Sequence, residues 1–457
     1  MDAINQFLTL FFSFKAYVML PLIILVIALA VRVPLPQALR STVSLAAGFA
    51  GVFIAFDFFV ANISPAVQQL SALRGLNFPV LDVGWPPLAA ITWASPLAAI
   101  SIPLVLVVNL AMLALGWTRV IYIDIWNYWH FAFVGALVMA VSGSMGLGLA
   151  ATLTVAIYCF KLAEWTAPDV ERELGLPGIT ASPVSANGMA PYIVCVDWVL
   201  DRIPGVSRLG YFPQRDAAPA GAAPGTWAAL LGLLHEPMVI GCIMGLALAL
   251  AAGYDLRATL ELAVHIAAVM FLLPRSGGLI GEAMLPITQA LRTQVERVFP
   301  QRKNLIVALD TGFLMGHKAI IMTGLILMGV AIVLALLLPG NRVLPLGDLP
   351  GLISAVSVMV LMFRGNVVRA VVGGIPVIAA YLLISSNMAP LVTTLALKTP
   401  SFAAHGAGEL TAFIDGGIPV RFWVFHLYQG HLWAFLVIPP LALALWWTRQ
   451  RSLRKSA

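Results

Sequence analysis

The feature that most restricts the fold of this chain is a succession of apolar runs, each about long enough to cross a bilayer as a helix. The chain is 61% hydrophobic and only 10% charged, whereas soluble domains average about 25% charged residues. The runs lie near residues 16–33, 44–62, 88–115, 128–142, 144–162, 228–253, 257–274, 315–339, 350–363, 366–386 and 431–447. The sequence therefore predicts an all-α integral membrane protein with about 11 transmembrane helices.

A short polar pattern occurs twice and divides the chain into two similar halves. Residues 81–85 read Leu-Asp-Val-Gly-Trp, and residues 309–313 read Leu-Asp-Thr-Gly-Phe. Each copy precedes a long apolar run that ends in polar landmarks, which are Arg119 and Asp124 in the first copy, and Arg342 and Asp348 in the second. Residues near 15–163 and 235–385 are therefore predicted to be two versions of one unit. Many transporters are built from such repeats and bind their solute between them.

The number of runs predicts how the two halves lie in the membrane. Each half holds five runs, and an odd number makes the second half run in the opposite direction, which predicts two inverted five-helix repeats. Most basic residues then fall on the side of the C-terminal tail, whereas Arg421 and a few others fall on the opposite side. Because basic residues are enriched in cytoplasmic segments, the C-terminus is predicted inside and the N-terminus outside.

The predicted organisation has four parts. They are a first membrane repeat at 1–163, a cytoplasmic and amphipathic connection at 164–227, a second membrane repeat at 228–386, and a loop region with the final transmembrane helix at 387–457. An amphipathic helix is also predicted within the second repeat, because Ile280, Met284, Ile287, Leu291, Val295 and Val298 recur at the spacing of one helix face. Such a basic helix is expected in the inner interface, either as a plain surface helix or as a docking surface.

Several classes of function are excluded by what the sequence contains. The net charge is +6, but the basic residues sit between apolar runs, so no nucleic-acid partner is predicted. The three cysteines, Cys159, Cys195 and Cys242, are scattered without a CxxC spacing, and neither a metal site nor a cofactor is predicted. The chain has no phosphate-binding loop and no HExxH motif, so it is not a self-contained ATPase or metalloprotease.

The two acids of the repeated pattern are the first candidates for a site. Ionisable groups at membrane depth are costly, and each is a functional candidate by default. Asp82 and Asp310 open equivalent long runs, and Gly84 and Gly312 beside them permit tight turns. Both regions are interpreted as re-entrant hairpins whose broken helices expose backbone groups to a polar solute. The alternative is that each Asp only caps a helix start.

The densest aromatic and polar cluster is Trp-Asn-Tyr-Trp-His at residues 126–130. Aromatic faces beside Asn127 and His130 are suited to a sugar or polyol, whose C–H faces stack and whose hydroxyls need hydrogen bonds. An interfacial aromatic belt is the alternative. His317 follows Asp310 closely and is either its partner or a structural histidine.

Two small polar stretches follow the fifth run of each half. They lie at residues 182–191 and 403–409 and contain Gly, Ser, Asn and His outside the regular helices. Ser185, Asn187 and His405 are candidates to face the solute, and the alternative is that both stretches are plain loops.

Several motifs together resemble one family. They are LDVGWPP and TWAS within 81–95, TRVIYIDIWNYWHFAFVGAL at 118–137, AGYDLRATLELAVHIAAVM at 252–270, LDTGFLMGHKA at 309–319, LPLGDL at 344–349 and FRGN at 363–366. These motifs resemble the galactitol-type IIC permease of the bacterial phosphotransferase system (PTS), a relative of the ascorbate IIC family. The resemblance covers nearly the whole chain.

This resemblance implies a multi-pass permease of the bacterial inner membrane that forms a homodimer. Separate IIA and IIB proteins pass phosphate to a cysteine of IIB and then to the sugar or polyol held by IIC, which is not itself phosphorylated. The residues that it places at the substrate are Asp82, Trp85, Thr92, Asn127, His130, Asp310 and His317. One stretch departs from the family, because residues 183–188 lack the expected His and Tyr, which leaves galactitol and other polyols open as substrates.

Two other functions remain open from the sequence. The first is an ion-coupled secondary transporter of a polyol or sugar that has lost phosphotransfer, with Asp82 and Asp310 moving protons or Na⁺. The second is a membrane scaffold, which leaves the paired acids unexplained.

Overall fold

Most of the chain is helical, as the apolar runs predict. A computed structural model describes residues 16–74, 78–204, 209–213, 237–298, 300, 304–314, 317–398 and 408–456, and it is 76% helix. Six of its helices are long and apolar enough to cross a membrane: Pro96–Ala114, Ile125–Ser142, Met145–Leu174, Lys318–Leu337, Val367–Leu397 and Leu432–Arg454. Shorter apolar helices occur at Pro21–Ala30, Val184–Leu200, Gly241–Ala251 and Leu349–Met362. The chain is therefore a multi-pass helical membrane protein.

The first half begins with two helices and then alternates strands with helices. Its elements are α1 Ala16–Ala30, α2 Leu35–Arg74, β1 Val80–Asp82, α3 Trp85–Trp93, α4 Pro96–Ala114, β2 Val120–Ile121, α5 Trp129–Ser142, α6 Met145–Leu174, β3 Ile179–Ala181, α7 Val184–Asn187 and α8 Ala190–Leu200. A 3₁₀ turn at Ile125–Tyr128 leads into α5.

The second half follows nearly the same order. Its elements are α9 Pro237–Ala251, α10 Leu256–Val298, β4 Ile306–Leu309, α11 Lys318–Leu337, β5 Val343–Leu344, α12 Leu352–Ala355, α13 Ser357–Met362, α14 Val367–Leu397, β6 Glu409–Thr411, α15 Pro419–Tyr428, α16 Leu432–Leu436 and α17 Ile438–Ser456. The 3₁₀ turns Thr311–Leu314 and Leu349–Gly351 follow β4 and precede α12. In both halves a long second helix precedes a strand, and two more strands come at matching places.

The predicted amphipathic face lies within α10, a single helix of 43 residues. The face is buried from Ile280 to Val295, whereas Val298 is exposed. It packs closely along α2, where a Cβ added at Gly48 would lie 2.7 Å from the Ile280 side chain and one at Gly51 would lie 2.6 Å from Ser276 Oγ. Small residues therefore let the long helices of the two halves approach each other.

The prediction of an entirely α-helical fold is wrong in one respect, because the described part of the chain contains six short strands in two parallel sheets. One sheet has the order β5-β1-β6, with Val80 opposite both Val343 and Glu409. The other has the order β2-β4-β3, with Val307 opposite Ile121 and Ile179. In each sheet the first strand of one half lies between the second and third strands of the other half. The two halves are therefore joined through exchanged strands.

Physical chemistry explains why such short strands form. Extended backbone within an apolar protein must find hydrogen-bond partners, because no water is present to supply them. Strands of two to four residues, as found here, are too short to produce a recognisable alternating pattern. The apolar sequence around them is therefore typical of helix or loop.

The predicted boundary at residue 163 falls within α6, which continues to Leu174. Acidic residues that the sequence places in the connection belong to its last turns, where Arg172 pairs with Asp169 at 2.8 Å and with Glu173 at 2.7 Å. The helix ends at Gly175, which has the left-handed φ of 68° that favours glycine. Local ion pairs thus extend this helix beyond the apolar run.

Candidate functional site

The candidate site lies at the edge where the strands of sheet β2-β4-β3 end. Asp310 directly follows β4, Ser182 directly follows β3, and Asp124 follows β2 by three residues. Because all three strands are parallel, their carboxyl ends meet at one edge. This is the edge at which open parallel sheets bind ligands.

The side chain of Asn127 connects the two acids at this edge. Its Nδ2 donates to Asp124 Oδ2 at 2.6 Å and to Asp310 Oδ2 at 2.9 Å. Ser182 Oγ also donates to Asp124 Oδ2. The second oxygen of Asp310 accepts the Gly312 N–H at 3.1 Å. Two carboxylates that share one amide donor repel each other when both are ionised, so further donors from a ligand would stabilise the pair.

A cavity of about 210 Å³ opens beside these acids. Its polar lining residues are Asn127, His130, Ser185, Asp310, Thr311, Asp348, Ser354 and Asp415. They come from both halves of the chain. The volume suits a small polar molecule, and the many hydroxyl, amide and carboxylate groups suit a polyhydroxylated one.

Three tryptophans form the apolar walls of this cavity, namely Trp85, Trp126 and Trp129. Trp126 stands edge-on to Trp85, with ring centroids 6.4 Å apart. Trp129 stacks on the ring of His130, with centroids 4.0 Å apart. Flat aromatic faces beside polar groups provide both kinds of contact that a sugar or polyol requires.

The equivalent edge of sheet β5-β1-β6 is closed by the backbone. Asp82 Oδ1 accepts the Gly84 N–H at 3.2 Å and the Phe413 N–H at 2.9 Å, and its Oδ2 accepts the Asp348 N–H at 3.0 Å. Asp348 borders the cavity, yet its oxygens accept the N–H groups of Trp85 and Ile414. Both carboxylates at this edge are thus used to hold chain segments together.

Close backbone packing accompanies this closure. Gly84 has a φ of 75°, and a Cβ added there would lie 2.7 Å from the carbonyl oxygen of Gly347. A Cβ at Gly347 would lie 2.4 Å from the carbonyl oxygen of Asp82. Only glycine fits at these two positions, which lets the segments after β1 and β5 approach closely.

A buried ionic group lies on another side of the cavity, formed by His130, Asp415 and Arg421. The guanidinium of Arg421 contacts Asp415 Oδ1 at 3.2 Å and donates through Nε to the His130 carbonyl oxygen at 3.0 Å. A second guanidinium nitrogen contacts His130 Nδ1. The three residues are 3–5% exposed, so this charge pair is shielded from solvent.

The structure brings together five of the nine residues predicted for the site. Trp85, Asn127, His130, Ser185 and Asp310 all line the cavity. The four others lie elsewhere. Asp82 is bonded to backbone N–H groups, and the Thr92 hydroxyl bonds to the Leu88 carbonyl within its own helix at 2.8 Å.

Asn187 and His317 are also absent from the cavity lining. Asn187 accepts from Thr166 Oγ1 at 2.9 Å and donates to the Ala181 carbonyl oxygen, which ties α7 to α6 and to the end of β3. His317 directly precedes α11 and is buried away from the cavity lining. His405, the further candidate, lies outside the described residues.

Four charged residues at or beside the cavity have no role in the sequence prediction. Asp124 and Asp348 serve there only as landmarks of the repeat, and their position after each Arg-Val pair is the signal that points to them. Asp415 and Arg421 lie six residues apart in an otherwise apolar segment, a spacing that suggests an intramembrane ion pair. The sequence places Arg421 in an outer connecting segment, whereas the structure buries it beside the cavity.

The donor set at the cavity is suited to hydrogen bonding. Within the described ranges, no group of three or more His, Cys, Asp and Glu side chains is placed to hold a metal ion. Carboxylates accept hydroxyl protons, and Asn and His supply donors. The arrangement can bind a polyol and accept a proton from one of its hydroxyls.

Comparisons with known proteins agree with this chemistry. A family model described as the sugar-specific permease component of the PTS system, EIIC-GAT, matches residues 10–406. The galactitol-specific EIIC component of the PTS system from Escherichia coli K12 is 33% identical over 446 residues, which cover 96% of this chain and 95% of the relative. The corresponding protein of Escherichia coli O157:H7 matches to the same extent. The chain therefore belongs to the EIIC-GAT family of PTS sugar-specific permease components.

Proposed function

We propose that this permease component translocates a polyol of the galactitol class and holds it at the cavity beside Asp310 while phospho-IIB phosphorylates it. The family assignment makes the chain a PTS permease component that works with IIA and IIB proteins and a sugar substrate. The named relatives are specific for galactitol.

The observation that carries the proposal is that Asp310, one of the two acids joined by Asn127, lines an aromatic-walled cavity. Asp310 Oδ2 accepts a hydrogen bond from Asn127 Nδ2 at 2.9 Å, which fixes the orientation of the carboxylate. The tryptophan rings offer faces to the C–H groups of a linear polyol. Thr311 and Ser354, whose hydroxyls are 2.6 Å apart, add groups that both donate and accept.

Six of the lining residues have a proposed role here. Asp310 accepts a hydroxyl hydrogen bond, Asn127 and His130 supply further polar contacts, and Trp85 and Trp126 stack on the carbon chain. Ser185 contributes a hydroxyl from the start of α7. Asp82, Thr92, Asn187 and His317 are assigned to the support of the site, because they do not line the cavity.

The proposed reaction is an in-line phosphoryl transfer. The S–P bond of the IIB phosphocysteine breaks as the substrate oxygen forms its bond to phosphorus, and the hydroxyl proton passes to Asp310. Such transfers depend mainly on alignment and charge stabilisation. This assignment fits a site that positions hydroxyls among carboxylates without a nucleophile of its own.

The membrane arrangement that we propose has about 11 spans in two inverted five-helix repeats with re-entrant segments at α3–α4 and at the start of α11. The matching element order and the exchanged strands support two related halves. The N-terminus is assigned to the outside and the C-terminus to the cytoplasm of the bacterial inner membrane. The permease is proposed to act as a homodimer, with the boundaries 1–163, 164–227, 228–386 and 387–457.

The experiment that tests this function measures uptake of labelled galactitol and a polyol panel into membrane vesicles, with and without phosphorylated IIB. We expect a phosphorylated polyol inside the vesicles only when phospho-IIB is present. The test variant is Asp310→Asn and its matched control is Asp255→Asn, because Asp255 caps the first turn of α10 at an exposed position. We expect the first to stop uptake and the second to leave it unchanged.

Accumulation of unmodified polyol without IIB would contradict the proposed phosphotransfer. It would indicate an ion-coupled transporter instead. Uptake that survives in Asp310→Asn would remove this acid from the site.

A further inference from the structure

Arg421 joins His130 and Asp415 through a set of directed contacts. Its Nε–H donates to the His130 carbonyl oxygen at 3.0 Å, and one terminal nitrogen donates to the Asp415 carbonyl and carboxylate oxygens at 2.6 and 3.2 Å. The other terminal nitrogen contacts His130 Nδ1. The guanidinium also faces the ring of Trp129, 5.4 Å from its centroid. The orientation of Arg421 is thus fixed on several sides.

These contacts bear on which nitrogen of His130 carries a proton. Asp415 Oδ1 lies 3.2 Å from Nδ1 and could accept a proton from it. Arg421 contacts the same nitrogen, and a guanidinium has donors only. Its contact with Nδ1 is a hydrogen bond only when Nδ1 is unprotonated. Of the two contacts at Nδ1, the one with Arg421 is the closer, so we take the arginine as the partner of Nδ1.

We propose that Arg421 is a positioning residue that fixes His130 in the tautomer with its proton on Nε2, so that His130 donates to a polyol hydroxyl while Asp310 and Asp415 accept. This inference rests on the proposed function for the identity of the ligand. His130 and Asp415 both line the cavity, and Nδ1 is occupied by its partners. Nε2 is therefore the ring nitrogen that a ligand reaches.

The proposal assigns different tasks to the groups around the substrate. A neutral His130 with a proton on Nε2 cannot take the hydroxyl proton during phosphoryl transfer, which leaves that task to a carboxylate. Because His130 donates while Asp310 and Asp415 accept, the site also selects for the arrangement of hydroxyls along a polyol. A ligand that lacks the hydroxyl opposite His130 leaves a buried donor unpaired, and such sites discriminate strongly.

The direct test is the tautomer of His130 in the full-length protein. Nitrogen-15 magnetic resonance of histidine-labelled protein in lipid distinguishes protonated from unprotonated ring nitrogens, and His130→Gln identifies the signals among the seven histidines. We expect a proton on Nε2 and none on Nδ1. In Arg421→Gln we expect the proton to move to Nδ1, where Asp415 then accepts it.

A proton on Nδ1 in the unmodified protein would overturn the proposal. If Arg421→Gln does not fold, Arg421→Lys provides the second variant. It retains the charge but has one donor group instead of a planar fork, so we expect a mixture of the two tautomers. An unchanged single tautomer in Arg421→Lys together with unchanged affinity would also count against a positioning role.

Binding provides the functional readout. We expect Arg421→Gln to raise the Kd for galactitol by about 10-fold or more, as the loss of a charge-assisted contact network implies. The matched control is Arg369→Gln, because Arg369 also pairs with two acids, Asp197 and Asp201, away from the cavity; its Kd should stay within about 2-fold. Equal losses in both variants would overturn the specific role of Arg421.

The two readouts separate this inference from the proposed function. If the unmodified protein binds no polyol, the proposed substrate class is wrong. The tautomer measurement requires no ligand and would still decide whether Arg421 sets the state of His130.

Discussion

The two parallel sheets are built alike, yet their acids are used differently. Asp82 and Asp310 occupy the same place in the repeated pattern, and each accepts the N–H of the glycine two residues later. Asp82 is then surrounded by backbone N–H groups from other segments. Asp310 instead meets the side chain of Asn127 at the border of a cavity. Backbone N–H groups enclose Asp82, whereas Asp310 is open to a ligand.

The difference comes from the segments that lie after the other strands of each sheet. After β5 and β6 the backbone turns back and fills the acceptors of Asp82 and Asp348. After β2 and β3, side chains donate to the acids of the other sheet: Asn127 donates to Asp124 and Asp310, and Ser182 donates to Asp124. A side-chain donor can be shared with or replaced by a ligand hydroxyl, whereas a backbone donor in a packed turn cannot move. The two halves have thus diverged, so that Asp82 stabilises the fold and Asp310 is available to bind a ligand.

The largest effect is expected from Asp310→Asn. The variant loses the carboxylate that accepts the substrate proton, and a positioned base contributes roughly 10²–10⁴-fold to such steps. We therefore expect phospho-IIB-dependent uptake to fall by about 100-fold or more at normal protein levels in the membrane. Uptake at the normal rate would show that the open edge is not the reacting site.

Asp82→Asn should lower the stability of the protein and leave its affinity for galactitol nearly unchanged. An amide at this position presents N–H groups to backbone N–H donors, and a buried donor left unpaired costs about 1–3 kcal/mol of the free energy of unfolding. Thermal unfolding in detergent should reveal this loss, while the Kd for galactitol stays within about 2-fold. A stable Asp82→Asn protein without affinity would move the substrate to the closed edge.

Gly84→Ala and Gly312→Ala test whether the backbone is packed more closely after β1 than after β4. A Cβ at Gly84 meets the Gly347 carbonyl and forces a left-handed residue, which costs about 1–2 kcal/mol. At Gly312 the nearest atom is Asp310 Oδ1 at 3.7 Å, an ordinary contact. We expect the denaturation midpoint to fall only for Gly84→Ala. Equal losses would indicate that both edges are equally close-packed.

The smallest effect is expected from Thr92→Val. The hydroxyl bonds to a carbonyl of its own helix, and valine retains the branched shape. Uptake and Kd should remain within about 2-fold of the unmodified values, measured beside Thr311→Val, whose residue lines the cavity. A loss in Thr92→Val as large as that in Thr311→Val would return Thr92 to the substrate site.

The sequence predicts the helical class, the family and the acid that opens into the cavity. The repeated Leu-Asp-x-Gly pattern predicts site residues because it marks a strand end in both halves. The cluster at 126–130 predicts them because aromatic and polar groups are adjacent there. The repeated pattern cannot show which of its two acids, Asp82 or Asp310, faces the cavity. That depends on donors such as Phe413 N–H, which lies 331 positions from Asp82 in the chain.

The remaining parts of the site depend on contacts between distant segments. Arg421 and His130 are 291 positions apart, so no local spacing relates them. The strands escape prediction because they are very short. Thr92 and Asn187 resemble site residues by type, but each finds its partner within its own helix or in neighbouring elements.

The most direct test of the central claim is an experimental structure of the permease with galactitol bound. We expect the polyol between the tryptophan walls, with one hydroxyl on Asp310 and another on Asn127, and with no contact to Asp82. A polyol bound against Asp82, with the cavity beside Asp310 empty, would contradict the assignment of one edge to binding and the other to stability.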